Sequence, residues 1–254
     1  MRIAITRAIS PALEHCELSF LTRDPIDLTL AAAQHRAYEQ ALAACGCTLR
    51  NLTAEPELPD SVFVEDTAIV LDEVAVITHP GAASRRPETA SIAAVLREYR
   101  ELVHIAAPAT LDGGDVLRVG RVLYVGVSAR SSRDGIAQLA QLLAPFGYTV
   151  SGVPLRGCLH LKSAVTRLAP DLLLINPDWV DADHFPGMKM LNVDSSEPHA
   201  ANALLIGDSV IYPTSGPRTR AQLLQHGVRV LSVDMSETEK AEGGVTCCSL
   251  IFET

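Results

Sequence analysis

The sequence predicts an α/β fold in which five similar ββαβ units close into a ring. Four stretches share one pattern, a polar start, a short β-type apolar run, a turn and a second β-type run: "EDTAIVLDEVAVIT" (65–78), "GDVLRVGRVLYVG" (114–126), "SAVTRLAPDLLLIN" (163–176) and "NALLIGDSVIYP" (202–213). Most are followed by a segment of helical period and a further strand. The pattern restarts roughly every 40 to 50 residues, the period of a repeat architecture, and the pieces left at the two ends of the chain complete one more unit.

Taken in order, "RIAIT" (2–6) is a strand, "LAAAQHRAYEQALAACG" (30–46) a helix and "CTLRNL" (47–52) the next strand. This first unit lacks half of its hairpin, which "TCCSLIF" (246–252) supplies from the other end of the chain. The second hairpin leads into "RPETASIAAVLREYR" (86–100), with Pro87 suited to a first helical position, and then "ELVHIAA" (101–107). The third leads into "RDGIAQLAQLLAPFG" and "YTVSGVPL", and the fifth unit into "RTRAQLLQHG" and "VRVLSVD". Only the fourth has a weak helix, "WVDADHFPGMK" before "MLNVD". No Pro/Gly/Ser-rich linker divides residues 1–254, so the expectation is a single domain around a central axis.

A chain of 254 residues, 48% hydrophobic and 20% charged, has the composition of a globular protein with a substantial core. Its formal charge of −9 argues against a nucleic-acid or anionic-membrane surface and favours a cationic small molecule. "MRIAITRAIS" has no apolar stretch of signal-peptide length, and no later run approaches the roughly 18 apolar residues of a membrane span. The chain is expected in the cytoplasm with its six cysteines reduced. Those cysteines fail the common zinc spacings. "DADH" (181–184) has the residue types of a metal site but is read as a polar loop.

A ring of like units brings equivalent positions together on the axis. The strand starts hold "VED" (64–66), "LDGGD" (111–115), "LHLKS" (159–163), "AAN" (200–202) and "VTCC" (245–248), so carboxylates, a histidine and a thiol converge. A thiol needs a base or a positive neighbour to act as a nucleophile near neutrality. A histidine supplies acid–base capacity and a carboxylate fixes its tautomer. Cys247, His160 and Asp112 fit these roles. Successive strand residues face opposite ways, so Cys247 and Cys248 cannot both look into the axis.

Asp60, Glu65 and Asp66 crowd negative charge around Phe63, which would disfavour a thiolate unless a cation sits among them. A guanidinium, planar and permanently charged, meets that need. The carboxylate of an amino-acid substrate calls for arginine. Arg85, Arg86 and Arg130 all precede helix starts, where a cation opposes the helix dipole, and of the first two Arg86 is assigned to solvent.

"PDSVFVED", "PGAASRRPE", "TLDGGDVL", "LHLKS" and "GGVTCCSL" resemble, in order and with compatible spacing across nearly the whole chain, the dimethylarginine dimethylaminohydrolases of the guanidine-modifying, or pentein, superfamily. The resemblance implies a five-bladed α/β propeller and hydrolysis of Nω-methylated arginines to citrulline and an alkylamine through a covalent thiouronium. By motif position it makes Cys247 the nucleophile and His160 the proton donor, with Asp112 where some members carry Glu. Leu18, Asp60, Glu65, Asp66, Arg85, Arg130 and the Ala241 backbone would contact substrate, Phe63 would line the pocket and residues 14–30 would form a lid. No metal or organic cofactor is implied, and the chain is expected as a monomer or homodimer. Two other readings are arginine deiminase, whose members generally carry an added helical domain, and a non-catalytic ribosome-binding propeller, which lacks the Cys/His/acid set.

Overall fold

The computed structural model describes residues 1–254. Strand β1 (Arg2–Arg7) is followed by helix α1 (Leu28–Ala44) and β2 (Thr48–Leu52). The second unit runs β3 (Ala68–Val70), β4 (Val74–Ile77), α2 (Thr89–Leu96) and β5 (Glu101–His104); the third runs β6 (Val116–Val119), β7 (Val122–Val127), α3 (Arg133–Leu143) and β8 (Thr149–Pro154). A single-turn helix, α4 (Leu161–Ala164), opens the fourth, followed by β9 (Val165–Ala169), β10 (Leu172–Ile175) and β11 (Lys189–Asn192). The fifth holds β12 (Leu204–Ile206), β13 (Ser209–Pro213), α5 (Pro217–Gln225) and β14 (Arg229–Val233). After α6 (Ser236–Glu239) the chain returns as β15 (Leu250–Glu253).

These strands form five three-stranded sheets of one design, β15-β1-β2, β3-β4-β5, β6-β7-β8, β9-β10-β11 and β12-β13-β14. In each, the first pair is antiparallel and the second parallel. The first sheet is completed by the C-terminal strand, with Ile3 opposite Phe252 and Ile5 opposite Leu250. The packing shows that the ring closes. Five apolar cores separate five sheets, one for each neighbouring pair, whereas an open row would have four. Ile5 and Phe252 pack with Ala75 and Ile77, Val76 with Val125, Tyr124 with Ile175, Leu174 with Tyr212, and Ala4 with Ile211 and Val233. Each fully buried side chain of this size contributes about 1.5–3 kcal/mol, so closure is held by many modest terms.

Helix α1 shows how sequence sets an element. Asp27 caps it by accepting from Thr29 N and Leu30 N, and Ala31, Gln34, His35, Tyr38, Ala41 and Leu42 form its buried face at three- and four-residue spacing. The fourth unit has only a 3-10 turn, Ala182–His184, where the sequence was weakest, and "DADH" is spent there, with Asp181 paired to Arg156 at 2.8 Å. Helix α2 starts at Thr89, and Pro87 lies inside a preceding 3-10 segment, Ala83–Glu88. No helix is long and apolar enough to cross a membrane.

Every polar strand start precedes an innermost strand. Glu65 and Asp66 lie on a 3-10 turn before β3, Asp112 immediately precedes one before β6, His160 immediately precedes α4 before β9, Asn202 precedes β12, and Thr246 and the cysteines precede β15.

Candidate active site

Cys247 and Cys248 lie on a turn, not on the expected strand, since β15 begins only at Leu250. Cys247 N donates to Gly244 O at 3.2 Å, which folds the segment back on itself. The turn divides the two thiols as strand alternation would have. Cys248 is fully buried in the core between the first and fifth sheets, and Cys247 is half-buried and lines a cavity. Gly243 is required by close approach, because a Cβ there would fall 2.1 Å from Phe63 Cε1.

The turn is pinned from three sides. Thr246 N donates to Asn202 Oδ1 at 3.0 Å, Thr246 Oγ1 donates to Glu65 Oε2 at 2.8 Å, and Tyr38 OH donates to Val245 O at 2.8 Å. Tyr38 also bonds Ser249 Oγ at 2.6 Å. Tyr38→Phe is therefore expected to cost about 1–3 kcal/mol, because it leaves buried Val245 O unsatisfied; urea unfolding of the variant checks this.

His160 Nε2 lies 3.0 Å from Asp112 Oδ2 and 3.9 Å from Asp66 Oδ1. Asp112 is fully buried, accepts from Gly81 N at 2.8 Å, and donates its own N–H to Ser131 Oγ at 3.0 Å. The short aspartate side chain thus reaches the histidine directly. Gly114 makes room, since a Cβ there would sit 2.7 Å from His160 Nδ1 and 2.6 Å from Asp66 Oδ1. Burial alone would lower the histidine pKa, but Asp66, the Asp112 hydrogen bond and Asp115 outweigh it and raise it to about 9. The imidazole is held as a cation at neutral pH. Cys247 goes the other way, as burial and then the charges of Glu65 and Asp66 push its thiol up to about 12.

The acids divide between two sides of the ring. Asp60, Asp66, Phe63, Arg85, Arg130, His160, Ala241 and Cys247 line one cavity. Glu65 does not join them. It lines a larger funnel of about 550 Å³, and its oxygens are taken by Lys162 Nζ at 2.5 Å and Thr246 Oγ1. Glu65 is nonetheless tied to the nucleophile's turn, with Cys247 O accepting from Glu65 N at 3.1 Å.

Arg85 lines the cavity with its donors already engaged. Its guanidinium is buried and spends its donors on Asp66, on Glu88 at 2.8 Å, and on the carbonyls of Asp60 and Phe63 at 3.3 and 3.0 Å. It is a brace for the acidic wall, because removing one partner of a buried ion pair leaves an uncompensated charge. Arg130 is the freer cation, with Nη1 3.8 Å from Asp112 Oδ2 and Nη2 3.2 Å from Ser19 Oγ. Arg86 bonds only Pro80 O, at 3.1 Å. Leu18 is half-buried on the 14–26 segment and packs on the core between the first and fifth sheets. Its neighbour Glu17 donates its N–H to Asp60 Oδ2 at 3.1 Å.

Sequence reasoning missed several supporting residues. Asp115, the last residue of "LDGGD", accepts from Leu161 N at 2.9 Å and Ser128 Oγ at 2.6 Å, which fixes the start of α4 and hence His160. Burial pushes its carboxyl up to about 6. Lys162 and Asn202 stood within "LHLKS" and "AAN", and their polar character at strand starts was the available signal. Asp66, Asp112 and His160 bring three ligand-type atoms within 4.8 Å of one another, but Asp66 is used by Arg85 and Gly114 N, and His160 by Asp112.

A family model described as arginine deiminase matches residues 33–185. A Pseudomonas aeruginosa protein named N(G),N(G)-dimethylarginine dimethylaminohydrolase is 37% identical, over 89% of this chain and 90% of its own. One of the same name from Streptomyces coelicolor is 39% identical, over 97% and 95%. The solved Pseudomonas aeruginosa enzyme, a Cys-to-Ser mutant complexed with citrulline, superposes with a TM-score of 0.94 at 35% identity, covering 98% of each chain.

Proposed function

The chain belongs to the dimethylarginine dimethylaminohydrolase family and hydrolyses a guanidino C–N bond; we propose that its substrates are Nω-methylated arginines, cleaved to citrulline and dimethylamine or methylamine, with Cys247, His160 and Asp112 carrying the chemistry. The observation that carries this reading is one cavity in which a thiol, a histidine held as a cation and the carboxylates of Asp60 and Asp66 meet. Residues 1–254 act as one catalytic domain. We place it in the cytoplasm, as a monomer or homodimer.

In the proposed reaction, entry of the guanidinium beside Asp66 and Asp60 opposes the negative field that keeps Cys247 protonated, and the thiol proton leaves to solvent. The thiolate attacks the guanidinium carbon, forming a C–S bond and a neutral tetrahedral adduct. Protonated His160 donates to the methylated nitrogen, the C–N bond breaks, and the amine departs from a thiouronium cation. Neutral His160 then takes a proton from water as its oxygen attacks the same carbon. Cleavage of the C–S bond regenerates the thiolate, and citrulline leaves after loss of one proton. Asp112 holds the imidazole in place throughout. Arg130 is the better partner for the substrate carboxylate, because the Arg85 donors are already engaged.

A citrulline assay with asymmetric dimethylarginine, monomethylarginine and arginine tests the proposal. Methylated substrates are expected to be turned over with the higher kcat/KM. An equal or higher value for arginine assigns the chain to deiminase chemistry.

A further inference from the structure

The carboxylate of Glu242 gathers three successive amides of the segment that covers the site. Ser19 N donates to Glu242 Oε1 and Oε2 at 3.1 Å each, Phe20 N to Oε1 at 2.5 Å and Leu21 N to Oε1 at 2.7 Å. Consecutive backbone N–H groups form a concave nest for an anion, and a carboxylate is the side chain that fills it. Glu242 is also the one non-glycine residue with positive φ, at 59°. A long side chain is disfavoured there and persists only where surrounding contacts impose it. Glu242 and its neighbours Ala241 and Gly243 all line the catalytic cavity, so latch and site share one turn.

The same covering segment contributes Glu17 to the wall of that cavity, and the space left inside is small. About 20 Å³ remains among Asp60, His160 and Cys247, room for about one water and not for an amino acid. A chamber of about 400 Å³ adjoins it, walled by Phe20, Leu21, Trp179 and His199, and reaches Glu242 and Cys247. Phe20 and Leu21, whose amides Glu242 holds, thus form one part of the wall of the chamber beside the catalytic cavity.

We propose that Glu242 is a positioning residue for the reaction, a latch whose carboxylate holds residues 19–21 over Cys247 and His160 and whose release admits substrate from the adjoining chamber. It acts through the segment and does not touch the reacting atoms. Its effect on substrate affinity rests on the methylarginine reading, whereas its hold on the segment does not.

The test reads the segment directly. The Leu21 amide held by Glu242 belongs to the Phe20–Leu21 peptide bond, a chymotrypsin site on exposed residues. Glu242→Gly removes the carboxylate and relieves the left-handed backbone together, so the fold is retained. Native-state cleavage after Phe20 is expected to accelerate roughly tenfold, with a similar rise in KM for dimethylarginine and a smaller change in kcat. Glu242→Gln, which keeps one acceptor oxygen, falls between. Cleavage and KM both at parent values would overturn the proposal. So would a rise in KM without faster cleavage, which would place Glu242 on the substrate itself. Faster cleavage in a protein whose parent makes no citrulline from any methylarginine leaves the latch standing and removes the proposed substrate.

Discussion

Cys247→Ser is expected to reduce citrulline formation by roughly ten-thousandfold or more, whereas Cys248→Ala retains activity within a few-fold of the parent. The two side chains are neighbours in sequence and separate in environment. Cys247 lines the cavity with His160, and Gly244 N donates to its Sγ at 3.3 Å, a hydrogen bond that favours its thiolate. Serine at that position keeps the shape but is a much weaker nucleophile. Cys248 is packed among Ala4, Tyr38 and Val245, and its loss leaves a small void worth about 1 kcal/mol. Iodoacetamide labelling separates the thiols without turnover. With its pKa at about 12 in the free protein, Cys247 is expected to label slowly at pH 7 and faster as pH rises, and bound methylarginine should protect it. Loss of activity in folded Cys248→Ala equal to that in Cys247→Ala would show that the roles have been divided wrongly.

The ring and its convergence point were legible because they rest on a periodic signal. A polar start followed by two β-type runs recurs often enough that "RIAIT" and "TCCSLIF" are recognisable as halves of one unit, and Ile3 does pair with Phe252. Side-chain direction was less legible. Glu65 and Asp66 are adjacent on one 3-10 turn, yet Asp66 faces His160 while Glu65 faces Lys162, and no pattern in "VED" distinguishes them. Arg85 looked like a free cation because Glu88 and Asp66, which occupy it, matter only once the Ala83–Glu88 turn is formed. Glu242 was hidden for a related reason. Its role depends on a backbone angle and on amides more than two hundred residues away in the chain, neither of which leaves a compositional trace.

His160→Asn is expected to lower kcat by about 10²–10⁴-fold, the range for removal of a general acid–base group, while substrate is still bound. The loss should depend on the leaving group. An isothiourea analogue that expels a thiol needs no proton on departure, so the variant is expected to form the covalent adduct and stall before hydrolysis. Mass spectrometry of the adduct checks this, and equal impairment of adduct formation with both leaving groups would argue that His160 positions substrate instead. The same residue sets a pH signature in the folded protein. Its pKa is raised from about 6.5 unfolded to about 9 folded, so the folded state binds the proton more tightly. That stabilisation, about 3 kcal/mol, is fully present below pH 6.5 and is lost as pH rises through 9. Asp66 has the opposite sign. Burial would raise its carboxyl, but His160 and Arg85 hold it far below the usual range, so its contribution is present above about pH 4 and lost on acidification. The parent should therefore lose stability to denaturant between pH 6.5 and 9. His160→Asn should be less stable at pH 6.5 and flatter across that interval. A slope unchanged by the substitution would mean that His160 is not held as a cation, and the proton for the departing amine would then have to come from another group.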